Sequence, residues 1–274
     1  MRRWRGFFVG EAKPYFACAI PRSFLFTRTL IESGAVATET SRGLSPHYGG
    51  TGHQGSFWRK VCNTHPFFIF SCILYVFFII ILSPPLDGIV FEADKTPGIG
   101  ELQTVLERAW HRGFDPAGAA QLDHEIKNTE KWIGATEVTT ILRSLGFRSE
   151  ITDFRRPTTE EGTHPLLFET IINYFNSPSP FGDRHPPVFL QFQGHSMTII
   201  GYEEVEDRLN LLIYDPGSTP EKCRATLDKG ELRLFRHSLR SLRKPQYQIV
   251  QVIGLFVNER EQEQSKLLDS KSLP

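Results

Sequence analysis

The sequence predicts an α+β fold, with helices first and an antiparallel sheet after them. Three observations carry this. Apolar residues recur at helical spacing between residues 101 and 175, short apolar strands crowd the chain after residue 188, and an acidic turn joins two of those strands. A doubly wound sheet would need helices and strands to alternate, and here they are segregated.

The helices come in order. From Glu101 to Arg112 the apolar positions Leu102, Val105, Leu106, Ala109 and Trp110 line one helix face, and Gly113 supplies the stop. Val138, Ile141, Leu142 and Leu145 repeat the pattern, closed by Gly146. Thr163 is read as the N-cap of a third helix, with Pro165 in its first turn and Leu167, Phe168, Ile171, Ile172 and Phe175 behind. Val188–Gln193 is a short apolar strand. Ser196–Tyr202 and Leu209–Tyr214 form a hairpin about the acidic turn Glu203–Asp207, and Tyr247–Val257 reads as a final long strand. The charged tail 258–274 is expected to fray.

This patterned stretch, residues 88–257, follows two regions of different character. Residues 1–66 hold nine Lys/Arg against three acids, show poor apolar periodicity and read as a basic, mostly irregular arm. Residues 67–86 form an apolar segment with Phe67–Leu82 as its most apolar part, and the uncharged run from Pro66 to Leu86, 21 residues, is long enough to cross a bilayer; a buried core segment reads equally well. If it spans, the protein lies in a membrane; otherwise cytoplasm or nucleus is expected.

Across all 274 residues, 31 Lys/Arg balance 31 Asp/Glu. Zero net charge excludes sequence-independent nucleic-acid binding, which runs on excess positive charge. The four cysteines (Cys18, Cys62, Cys72, Cys223) share no C-x-x-C spacing, so a zinc finger, a thioredoxin-type motif and a disulfide-dense scaffold are excluded. The histidines show no ligand spacing, and neither metal nor cofactor is expected.

The hairpin carries the chemistry. His195 stands at the entrance of its first strand, in Gln193-Gly194-His195-Ser196, and Asp215 at the exit of its second, in Tyr214-Asp215-Pro216-Gly217. Folded about position 205, the two fall opposite one another with Cβ atoms about 5 Å apart. The carboxylate can then fix one imidazole tautomer and leave the other ring nitrogen as a general base, the His–acid half of a nucleophilic triad. The alternative is a pair of solvated turn residues.

Five segments occur together: Arg112-Gly-Phe-Asp-Pro-Ala-Gly-Ala-Ala-Gln-Leu122, Lys131-Trp-Ile-Gly134, Thr163-His-Pro165, Gln191-Phe-Gln-Gly-His-Ser196 and Asp215-Pro-Gly217. In this order they resemble the papain-like cysteine peptidases that act on ubiquitin and ubiquitin-fold modifiers, most of all the branch in which the catalytic domain follows zinc fingers. The resemblance covers about Phe91–Val257. It implies a papain-like domain, His195 as general base, Asp215 as its orienting acid, Gln193 as part of the substrate-binding rim, a thiol nucleophile upstream, and a ubiquitin or ubiquitin-like partner cleaved after its C-terminal glycine. The family's nucleophile motif, Gly-Cys-Gly-Tyr-Arg-Asn at a helix start, does not occur in this sequence, and neither do the zinc fingers. Cys62, with Arg59 and Lys60 close by and Gln54 upstream as a candidate oxyanion donor, is the candidate thiol. Since the apolar run stands where the family's nucleophile helix belongs, the helical lobe is expected to be incomplete. Three readings follow: a thiol peptidase, a pseudo-peptidase that binds a ubiquitin-like protein, and a single-span membrane-anchored protein.

Overall fold

The computed structural model describes residues 3–5, 99–181, 185–205, 208–229 and 231–274. Its elements run β1 (Arg3–Arg5), α1 (Ile99–His111), α2 (Pro116–Gln121), α3 (Ala135–Ser144), β2 (Phe147–Phe154), α4 (Pro165–Asn176), β3 (Val188–Phe192), β4 (His195–Val205), β5 (Arg208–Tyr214), α5 (Pro220–Asp228), β6 (Arg236–Ser238), β7 (Tyr247–Leu255), α6 (Glu259–Gln264) and β8 (Ser270–Leu273). The expected α+β order holds. The sheet order is β6-β5-β4-β3-β7-β2-β8, with β1 on β4; the pairings are antiparallel except β2 with β8.

Successive strand residues face opposite sides of the sheet, so β3 and β7 feed two cores. Phe189, Val250 and Val252 pack with Leu102, Val105, Leu106, Val138, Ile141 and Leu142 of α1 and α3. Val188, Leu190 and Ile249 pack with Leu167, Phe168, Ile171 and Phe175 of α4. The helical apolar faces read from the sequence are the buried faces here.

Several elements differ from the sequence expectation. The N-cap of α4 is His164 rather than Thr163, because the Thr163 hydroxyl is engaged with that of Thr159 at 2.7 Å. Glu203 and Glu204 continue β4 instead of turning; the Glu203 side chain is fully buried against the Arg236 guanidinium of β6, which neutralises it. β7 ends at Leu255 and is not the last strand. Residues 258–274 do not fray. Asn258 caps α6 by accepting from Glu261 N at 3.0 Å, and Glu261 returns to Val257 N. Arg143 then donates to the carbonyls of Ser149, Ser265 and Leu267, which ties the tail to α3 and β2.

The apolar run Phe67–Leu82, together with Cys18, Gln54, Cys62 and Cys72, lies outside the described residues. Among the described residues no helix is long and apolar enough to cross a membrane.

Candidate active site

A two-residue turn, Gln193-Gly194, joins β3 to β4, and Phe192 faces His195 across it. Both turn residues have positive φ, +38° at Gln193 and +75° at Gly194, as a type I′ hairpin turn requires. Its twist matches that of the strands, so His195 leaves the turn as the first residue of a well-paired ladder. The His195 ring lies 5.3 Å from the Phe192 ring, and the Lys244 ammonium lies over the Phe192 ring, 5.0 Å from its centroid.

His195 Nε2 meets Asp215 Oδ1 at 2.9 Å, with both side chains about one third exposed. The same oxygen accepts from Gly217 N at 2.8 Å, a short loop that fixes the carboxylate just past the end of β5. The hydrogen bond from His195 holds the Asp215 carboxyl below the usual carboxylate range; burial opposes it, and the Gly217 amide adds to the lowering. An anionic Asp215 must accept, so Nε2 carries the proton and Nδ1 is the nitrogen left for chemistry.

The register that brings them together differs from direct opposition. Tyr214 pairs with Thr198 and Ile213 with Ile199, and a bulge before Gly201 shifts the rest of the hairpin, whose tip lies between Val205 and Arg208. Continued outward, this register sets Asp215 opposite Met197, two residues from His195. The two therefore share a face as diagonal neighbours, about 7–8 Å apart at the backbone. The far nitrogen of the imidazole bridges that gap.

Gln193, expected at the substrate rim, is exposed at the turn. It borders an open groove of about 420 Å³ with Gln191, Gln246, Gln248, Asp153 and Arg155. Cys223 is 1% exposed on α5 among Leu212, Leu232 and Phe235. Burial pushes its thiol up and away from thiolate, in keeping with an ordinary core cysteine. Among the described residues no group of His, Cys, Asp and Glu is arranged to hold a metal ion.

Sequence reasoning gave no role to Trp132. It is 60% exposed, yet fixed neighbours flank it: Lys131 donates to Leu122 O at 2.7 Å, and Ile133 is buried. Its indole covers Gly194, where an added Cβ would fall 2.8 Å from Cζ3. A tryptophan in a segment already matched to a family was the available signal.

Taken with the motifs, a hairpin that presents an imidazole tied to a carboxylate defines a peptidase-like domain. The profile of peptidase family C78 matches residues 87–250, and the chain belongs to that family. Relatives include the zinc finger-containing ubiquitin peptidase 1 of Rattus norvegicus, 43% identical over 175 residues that cover 60% of this chain and 30% of the rat protein. The protein of that name in Homo sapiens is 39% identical over 191 residues, 65% of this chain and 33% of its own. The ubiquitin carboxyl-terminal hydrolase mug105 of Schizosaccharomyces pombe is 31% identical over 163 residues, 59% of this chain and 64% of its own. The chain thus spans about a third of the length of the zinc finger-containing relatives. A crystal structure of UfSP from C. elegans is 17% identical, with a TM-score of 0.37, and covers 58% of this chain and 25% of that one.

Proposed function

We propose that this chain carries the base-and-acid half of a thiol peptidase acting at the C-terminal glycine of ubiquitin or a ubiquitin-fold modifier. The 2.9 Å bond between His195 Nε2 and Asp215 Oδ1 carries the proposal. With Nε2 holding its proton against Asp215, the Nδ1 lone pair takes the proton of a cysteine thiol. The thiolate attacks the glycine carbonyl, and imidazolium Nδ1–H then protonates the departing amine. Water hydrolyses the thioester with His195 again as base. Asp215 stays ionised throughout, stabilising the imidazolium and holding its orientation. Gln193, exposed at the turn, contacts the substrate at the rim. The thiol comes from outside the described residues, with Cys62 as the candidate.

A second reading has one observation in its favour: the cysteine among the described residues, Cys223, is sealed in the core. With no thiol delivered to Nδ1, the same domain would bind a ubiquitin-like protein without cleaving it.

One experiment separates the two. Purified full-length chain is incubated with probes carrying a C-terminal electrophile on ubiquitin and on ubiquitin-fold modifiers. Intact mass reads adduct formation and peptide mapping locates it. An adduct on Cys62 that is lost in His195→Ala supports the peptidase. Folded protein that binds a modifier and forms no adduct with any probe supports the binding domain, and an adduct that persists in His195→Ala refutes the role given to His195.

A further inference from the structure

The segment Thr163-His-Pro165 has so far served only to start a helix. Its histidine is also the far end of a chain of rings that leads to His195. His164, the N-cap of α4, is 1% exposed, and Pro165 after it keeps its backbone out of the helical region. The His164 ring meets the Tyr247 ring edge to face at 5.0 Å. Tyr247 meets Phe192 in the same way at 5.5 Å, and Phe192 meets His195 at 5.3 Å. Phe192 and Tyr247 belong to the core that α4 closes, so the chain of rings rests on packed structure.

One backbone residue ties these rings together. Lys244 O lies 2.7 Å from His164 Nε2; a carbonyl only accepts, so Nε2 carries the proton and donates it. Lys244 N donates to the Tyr247 hydroxyl at 3.2 Å. The Lys244 ammonium stands over the Phe192 ring, 5.0 Å from its centroid. His164 therefore holds the loop from which Lys244 grips both Tyr247 and Phe192.

Asp215 by itself does not orient the imidazole. One hydrogen bond at Nε2 fixes that atom and leaves the ring plane free to tilt about it. Phe192, set against the ring, limits the tilt and with it the direction of Nδ1. We infer that His164 is a positioning residue for His195: its Nε2–H bond to Lys244 O braces Tyr247 and Phe192, and Phe192 sets the plane of the imidazole that Asp215 anchors. This rests on the reading of His195 as the base. Buried as it is, His164 acts through its neighbours, and its effect falls on the chemical step.

Two substitutions test it in the full chain. His164→Phe keeps a ring against Tyr247 and removes the donor. His164→Gln removes the ring and offers an amide N–H at nearly the same reach. In His164→Phe the nuclear Overhauser contact between the Lys244 ε-protons and the Phe192 ring disappears, and the ring signals of His195 broaden. On fluorogenic C-terminal amides of ubiquitin and of a ubiquitin-fold modifier, kcat falls about tenfold with KM within about twofold, as a displaced base requires. His164→Gln restores the contact and most of kcat. Equal losses in both variants would overturn the inference in favour of plain packing. So would a Lys244–Phe192 contact that persists in His164→Phe, or one that is lost with kcat unchanged. If His164→Phe does not fold, Tyr247→Phe takes its place. It removes only the hydroxyl that accepts from Lys244 N, and it should weaken the same contact and lower kcat; no change in either overturns the inference. If the wild-type chain is inert to both amides, the activity reading has failed. The brace is then decided by the Lys244–Phe192 contact and the His195 ring signals alone: their loss in His164→Phe and return in His164→Gln supports it, and no change overturns it.

Discussion

Gly194→Ala probes the turn that presents His195, and its effect can be worked from two features of the turn. The residue has φ +75°, where an L side chain costs about 1–2 kcal/mol. Its Cβ would also stand 2.8 Å from Trp132 Cζ3, inside any real contact distance. Because the indole is 60% exposed, it can swing outward instead of being compressed, so this second part is a lost contact of under about 1 kcal/mol. The expected total is about 1–3 kcal/mol. In a domain of this size that lowers Tm by about 2–12 °C. Urea unfolding of wild type, Gly194→Ala, Trp132→Ala and the double variant measures it. In the Trp132→Ala background only the backbone part remains, so Gly194→Ala should then cost about 1–2 kcal/mol, and the difference is the coupling between Trp132 and the turn. Equal costs in both backgrounds would show that Trp132 does not bear on the turn. A cost below about 0.5 kcal/mol would refute the left-handed conformation itself.

Other expectations concern the same molecule. Arg236→Ala leaves the fully buried Glu203 carboxylate without its partner, and urea unfolding should record a loss of about 3–5 kcal/mol, with Glu203→Gln in the Arg236→Ala background recovering part of it. Asp215 is held below the ordinary aspartate value, so its contribution to stability is complete above that ordinary value and is lost as pH falls through the lowered folded one. Asp215→Asn should therefore flatten the stability-versus-pH curve in the acid range below about pH 4 and leave its neutral limb parallel to wild type. Arg143→Ala releases the carbonyls of Ser265 and Leu267, and amide exchange should rise across residues 259–273 before it rises in β7.

Much of the fold was legible because it rests on local periodicity. The faces of α1, α3 and α4 and the runs of β3, β4, β5 and β7 are apolar patterns that no other element could bury. β2 was not read, since the polar Ser149 and Thr152 occupy buried positions in it and blur the alternation. β8 owes its place to parallel pairing with a strand over a hundred residues earlier, which no local pattern encodes. The Asn258 cap of α6 was local and readable, and the charged composition around it pointed to solvent instead. For the site, His195 and Asp215 were legible as residues at the ends of a hairpin. Their register was not, because it depends on a bulge and on the burial of Glu203, a residue that composition assigns to a turn. Trp132 and Gln191 were visible within matched segments, but their contacts with Gly194 and Ala135 arise only when α3 and the sheet are packed together.

The bulge before Gly201 decides which face Asp215 joins. Were the inner register, from Val205 opposite Arg208 to Gly201 opposite Leu212, carried straight outward, Asp215 would stand opposite Thr198 and on the far side of the sheet from His195. With the bulge it stands opposite Met197, and the two side chains share a face. The one extra residue of β4 is thus a condition for the pair, and a change that irons it out would part His195 from Asp215 without altering either.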